Sequence, residues 1–319
     1  MSLYKQQPMD FTRLHTVPLA ERGGKVRTEC FAFPYCKGTG LRGWLECLPR
    51  ILAGDSFREL VDRILHARSC GKPILWGLGG HVIKCGLAPV LIDLMYRGFA
   101  TGFALNGSGA IHDFEIALSG ATSEDVEAVL PDGRFGVAEE TGREMCQAIN
   151  YCSGGNVGIG EALGRRLSEI ARPEFACKSL LLEAWRASKP VTIHVAVGTD
   201  TPHIHPELNA AALGEGTYRD FRLFCSLVAQ LDHGGVYLNV GSAVVLPEVF
   251  LKAVSVTRNL GYPLAEFTTA NLDFIQHYRP RVNVVERPHA RAGGRGLAIT
   301  GHHELMVPLL AASLIESGT

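Results

Sequence analysis

Between residues 73 and 269, short apolar runs rich in β-branched side chains alternate with helical patterns, and each run leads into a glycine-rich or polar loop. The runs at 73–77, 100–105, 191–197, 235–240 and 265–269 read as strands, and residues 282–286 read as a sixth. A helix is expected from about Asp55. Ser56 and Glu59 have capping-box spacing, Phe57, Leu60, Val61, Ile64 and Leu65 recur at helical intervals, and Gly71-Lys72-Pro73 closes the pattern. Further helices are expected at 87–96, 123–130, 139–149, 159–170, 178–187, 218–231 and 248–260, and from about Glu304. Strand, turn, helix and strand between residues 73 and 105 make one βαβ unit. Strands that are apolar on both faces need helices on both sides, so the fold class is α/β, a doubly wound and mainly parallel sheet of about six strands. No linker or low-complexity stretch divides the chain. The expected organisation is an N-terminal arm over residues 1–54, packed on the body or on another subunit, and one α/β domain over 55–319.

Charge and cysteine content narrow the function. Lys and Arg number 31 against 32 Asp and Glu, so nothing favours a nucleic-acid or polyanion partner. The apolar runs stop far short of the roughly 20 residues of a membrane span, and the N-terminus lacks a signal-peptide core. Nine cysteines at scattered spacings include no CxxC pair, which fits a reduced, cytoplasmic chain.

Ligands of doubly wound sheets bind beyond the carboxyl ends of the strands. The loops expected there are Gly79-Gly80-His81, Asn106-Gly107-Ser108-Gly109, Gly198-Thr199-Asp200, Gly241-Ser242 and Thr268-Thr269-Ala270-Asn271. Glycine lets backbone N–H groups approach a phosphate, and a following helix N-terminus favours its charge. None of these loops fits GxGxxG with a distal acid, and none fits GxxxxGK[ST]. His81, His112, His203 and His205 fall in the same loops beside Asp113, Asp200 and Glu207. His203 and His205 point the same way if the segment is extended, which suits a metal pair, acid–base groups or substrate hydrogen-bonders. His194, inside a strand, reads as a core residue, and His302-His303 as a cap or surface pair.

Taken in order, these loops resemble those of deoxyhypusine synthase and its homospermidine-forming relatives, from about Gly71 to Asn271. Gly80-His81-Val82-Ile83-Lys84-Cys85-Gly86 stands where the family has a Ser-Asn-x-Ile-Ser-type turn that touches NAD. Asn106-Gly107-Ser108-Gly109 stands where it has Thr-Ala-Gly-Gly, and Thr199-Asp200 matches its NAD-contacting Thr-Asp. Gly241-Ser242-Ala243-Val244-Val245 resembles Gly-Gly-Gly-Val-Val, and Thr268-Thr269-Ala270-Asn271 resembles Asn-Thr-Ala-Gln. The resemblance implies a Rossmann-like NAD site held by Gly80, His81, Asn106, Gly107, Ser108, Asp200, Gly241, Ser242, Thr269 and Ala270. It also implies a homotetramer with active sites at subunit contacts.

Two departures separate the chain from that family. The family carries its aminobutyl group on a late lysine, whereas no lysine follows Lys252 here, and arginine forms no imine. The family's adjacent polyamine-binding carboxylates align with Ile111 and His112, and a further acid aligns with His205. Removing one partner of a buried charge pair costs roughly 2–5 kcal/mol, so polyamine affinity falls by about three decades or more. The expectation is an NAD-dependent enzyme of oxidoreductase or transferase type acting on a small non-polyamine substrate. His112, His203 and His205 are its candidate catalytic residues. The alternatives are a hydrolase or lyase with zinc or another divalent metal on His81, His112, His203 and His205, and a non-catalytic NAD-binding protein.

Overall fold

The run Ile74–Leu78 is apolar throughout, and a strand with no polar face must lie inside a covered sheet. In the computed structural model, which describes residues 3–318, it is β1, flanked by parallel strands on both sides. The others are β2 (Gly102–Asn106), β3 (Val191–His194), β4 (Val236–Val240), β5 (Thr268–Asp273) and β6 (Arg295–Thr300). All pair in parallel, in the order β3-β2-β1-β4-β5-β6. This is the doubly wound order. It reverses between β1 and β4, and ligands of such sheets bind beyond the carboxyl ends near that reversal.

Strand side chains alternate between two cores. Leu75, Ala104 and Tyr237 face the helices Ala210–Ala229 and Val245–Asn259, where Tyr237 stacks on Phe250 at 3.9 Å between ring centroids. Trp76, Leu78, Phe103, Leu105, Ile193 and Leu238 face the opposite layer, which includes the helices Leu52–Ser69, Ala88–Tyr96, Gly107–Ser119, Ile159–Ile170 and His303–Ser317. Trp76 is fully buried because its Nε1–H donates to the Phe99 carbonyl at 3.0 Å. Among the described residues, no helix is long and apolar enough to cross a membrane.

Four local expectations are corrected. The first long helix starts at Leu52, after an Ile51 cap with no side-chain bond, so Ser56 and Glu59 form no capping box. Glu59 instead pairs with Arg63 and Arg295. Residues 282–286 are not a strand: Arg281–Glu286 is a wide helical turn, and the sixth strand comes later, at Arg295–Thr300. The fifth strand begins at Thr268, so Thr268–Asn271 is strand and not a loop after one. Only a short turn of helix, Val126–Val129, lies in the 123–130 region. Within the arm, residues 3–39 bury no side chain, whereas Leu45 of the helix Gly40–Cys47 joins the core.

Candidate functional site

At the carboxyl edge, the glycines bring loops against each other. A Cβ on Gly79 would stand 2.0 Å from the Gly241 carbonyl oxygen, where the Gly79 N–H donates to Val240 O at 2.8 Å. A Cβ on Gly80 would meet Ser108 Oγ at 2.2 Å, and one on Gly107 would meet Asp200 Oδ2 at 2.0 Å. Gly241 turns the chain out of β4 at φ +69°, a conformation that favours glycine. Close approach of backbone to protein therefore explains Gly79, Gly80 and Gly107 without any ligand.

Next to this junction lies a cavity of about 220 Å³. Ser108, Ile111, His112 and Glu115 line it from the helix that follows β2, Lys84 from the turn after β1, and Thr199, Asp200 and Thr201 from the loop after β3. The helix Gly107–Ser119 begins at this wall, with the Asn106 side chain accepting the Gly109 N–H at 2.9 Å. Asn106 is thus a helix cap.

The acids of the wall differ in one respect. Glu115 accepts hydroxyls of Thr122 and Thr141, and Glu124 accepts the Gly136 N–H. The Asp200 side chain is 9% exposed and its Oδ2 has no hydrogen-bond partner. Burial raises the Asp200 carboxyl above its usual range, with His203 and Thr199 acting in the opposite direction. A buried acceptor left unfilled by protein is a place for a donor from elsewhere.

The histidines separate. His112 Nδ1 lies 2.7 Å from Thr122 Oγ1, and burial, aided by the Lys84 charge, lowers its pKa to about 4. It is a neutral hydrogen-bonding group at neutral pH, too weakly basic to hold a proton there. His203 belongs to a turn: its Nδ1 accepts the N–H groups of Gly198 and Asp200 at 3.1 and 3.4 Å, and its Nε2 lies 3.9 Å from Asp200 Oδ2. His205 Nδ1 accepts the Glu207 N–H at 3.3 Å, and the ring packs on Gly142. Thr201–Ile204 is a 3₁₀ turn and not an extended segment, so alternate residues do not share a side and His203 and His205 make no pair. Among the described residues, His81 is grouped with Cys85 and Glu304, so the four-histidine metal set is not assembled.

Other candidates serve the framework. Ser242 Oγ accepts the Leu246 N–H at 3.2 Å, starting the helix after β4. Thr269 and Ala270 are fully buried inside β5, with Thr269 Oγ1 donating to Val284 O at 2.6 Å. The strand continues to Asp273, so neither reaches the carboxyl edge where a cofactor would lie. Asp113 accepts Ser179 Oγ–H and the N–H groups of Leu180 and Leu181, anchoring the helix Leu180–Arg186. His303 is 1% exposed, which corrects its reading as a surface residue. Glu115 and Thr201 are cavity residues that the sequence did not single out, and no periodic or motif signal marks them; Lys84 was legible only as part of the 80–86 turn.

His194 is the core residue expected. It is 4% exposed, its Nε2 lies 3.0 Å from Thr192 Oγ1, and burial takes its pKa down to about 3 from 6.5. Below pH 6.5 the unfolded chain takes up a proton that the folded chain refuses, so this group's contribution to stability is lost as pH falls toward 3. Relative to His194→Gln, the native chain should lose about 2 kcal/mol between pH 7 and pH 5 in urea unfolding. Equal losses in the two proteins would refute this.

No family model and no curated protein matches the sequence. Solved structures do match the fold. ArgZ, an arginine dihydrolase from the ornithine-ammonia cycle in Cyanobacteria, aligns at 15% identity with a TM-score of 0.51, over 84% of this chain and 33% of that one. AgrE, in its ternary complex with ornithine and NAD+, aligns at 16% identity with a TM-score of 0.50, over 82% of this chain and 32% of that one. This chain thus spans about a third of the length of either protein. An Entamoeba histolytica protein assigned as a deoxyhypusine synthase aligns at 9% identity with a TM-score of 0.49, over 90% of this chain and 97% of that one. The chain has the doubly wound parallel fold that its sequence resemblance implied, and it shares that fold with ArgZ and AgrE.

Proposed function

We propose that the chain is an enzyme that binds NAD at the carboxyl edge of its sheet and acts on a small substrate that is not a polyamine. The observation that carries this reading is Asp200: its buried, unpartnered Oδ2 lies at the wall of the cavity, against Gly107. A carboxylate so placed suits the hydroxyl pair of a ribose. The N-terminus of the helix Gly107–Ser119, with Ser108 and Lys84 beside it, suits a phosphate. AgrE, which has the same fold, binds NAD+ together with ornithine, and this supports the cofactor assignment. NAD, when bound, supplies a hydride acceptor or donor.

The chain's own groups then decide the substrate. Ile111 and neutral His112 line the cavity at the positions that align with amine-binding carboxylates, so the wall presents an apolar surface and a hydrogen-bonding imidazole there. Without a lysine after Lys252, an imine-forming transfer has no late nucleophile. His203 holds the Asp200 turn through its Nδ1, a positioning role. Isothermal titration with NAD+ and NADH tests the assignment: saturable heat at or below millimolar cofactor is expected, and its absence would overturn the reading.

The arm belongs to the same proposal. It exposes Phe11, Leu14, Phe31, Phe33 and Tyr35, an apolar series that a second copy of the chain would cover. Light scattering should give an oligomer, and truncation before Gly40 should lower the oligomeric state. A monomer in both forms would exclude assembly through the arm.

A further inference from the structure

A second cluster at the carboxyl edge has the composition of a metal site. His81 and Cys85 are four residues apart across the short helix Gly80–Lys84, which sets them on one side, with Cys85 Sγ 3.2 Å from His81 Nε2. Glu304, in the first turn of the helix His303–Ser317, places Oε2 3.9 Å from the same sulfur. One ligand atom from each of the three falls within 4.8 Å of the others. Ligand bonds of about 2.0–2.3 Å at tetrahedral angles bring donor atoms to separations of this order.

We propose that His81, Cys85 and Glu304 bind a divalent transition metal of the zinc type, with one coordination position left for water or a substrate oxygen. Imidazole, thiolate and carboxylate form a borderline-soft donor set that disfavours magnesium and calcium. Three protein ligands with an open position are the pattern of sites that bind substrate and not only structure. The surroundings support the ligands. The ring of His303 meets that of His81 edge-on at 5.7 Å, and Phe274 lies 6.5 Å from it. His303 Nε2 lies 3.3 Å from Leu272 O, a bond that needs the proton on Nε2 and leaves Nδ1 as a buried acceptor without a partner.

Lys84, between two of the ligands in sequence, lines the proposed NAD cavity, but His81, Cys85 and Glu304 do not, and the test uses the metal alone. Chelator-stripped full-length chain is titrated with Co2+. A single Co2+ per chain is expected, with a thiolate-to-cobalt charge-transfer band that Zn2+ abolishes by displacement. Cys85→Ser should remove the band, and His81→Gln or Glu304→Gln should each weaken Co2+ affinity by roughly tenfold or more. Cys70 is the control, since its thiol lies 3.7 Å from His66 Nε2 but belongs to no such three-ligand cluster among the described residues. Cys70→Ser should leave the titration unchanged, and thermal melts check that each variant folds. No band, a band that survives Cys85→Ser, or a band lost in Cys70→Ser would overturn the proposal.

Discussion

Asp200→Ala should bind NADH roughly ten- to a hundredfold more weakly than the native chain. A hydrogen bond to a charged acceptor contributes about 1.5–3 kcal/mol, and each ~1.4 kcal/mol is tenfold in affinity. Asp200 is the group to remove because the other cavity acids already have partners: Glu115 the hydroxyls of Thr122 and Thr141, Glu124 the Gly136 N–H. Its side chain also accepts the His203 backbone N–H in a capping box, so a weakened turn must be separated from a lost ligand contact. Asp200→Asn keeps an acceptor for that cap while removing the charge, and should weaken NADH to an intermediate degree at an unchanged thermal midpoint. Because burial raises the Asp200 carboxyl, its charge appears at higher pH than an ordinary carboxylate's, and NADH affinity should fall as pH is lowered through that range. Fluorescence titration of NADH measures all three. An Asp200→Ala variant with native affinity would remove the residue on which the cofactor assignment rests.

Gly79→Ala should destabilise the fold by about 3 kcal/mol or more, the upper end of overpacking costs. Its φ of −79° is open to any residue, so the effect is steric and not conformational. A Cβ there would press on the carbonyl oxygen and carbon of Gly241 at 2.0 and 2.5 Å, and neither can rotate away as a side-chain tip could. Relief requires β1 and β4 to part at the point where the Gly79 N–H bonds Val240 O. Gly86→Ala is the counterpart. Gly86 has φ +76° with nothing within 4 Å of its Cβ position, so only the left-handed backbone cost of roughly 1–2 kcal/mol applies. Urea unfolding of the two variants should rank Gly79→Ala well below Gly86→Ala. The reverse order would mean that the edge does not pack as described.

The alternation of apolar runs and helices was enough to place β1 to β4, because strands buried on both faces carry their burial in every residue. Ile74–Leu78 and Val236–Val240 are cases without a single exposed position. The sixth strand escaped for the opposite reason. Arg295–Thr300 is an edge strand with exposed Arg295, Ala298 and Thr300, whereas the β-branched 282–286 segment looks more like a strand and instead winds as a helical turn packed on the helix Val245–Asn259. Local propensity lost to tertiary packing there.

Of the candidate site, the sequence showed which loops come together. The loops after β1, β2 and β3 do meet, and Asp200, Ser108 and His112 share one cavity wall. The pairing of His203 with His205 failed because a 3₁₀ turn replaced the extended backbone it needed. The group of His81, Cys85 and Glu304 was invisible for a different reason: Cys85 and Glu304 are 219 positions apart, and only the return of the last helix to the carboxyl edge brings them together.

A crystal structure grown with NAD+ locates the cofactor directly. We predict density at the carboxyl edge, with ribose hydroxyls within hydrogen-bond distance of Asp200 Oδ2 and a phosphate at the N-terminus of the helix Gly107–Ser119. A larger cavity of about 480 Å³, lined by Gly158, Gly160, Pro190, Val191 and Arg219, lies at the amino end of β3. NAD+ bound there, with no ligand atom near Asp200, would contradict the assignment.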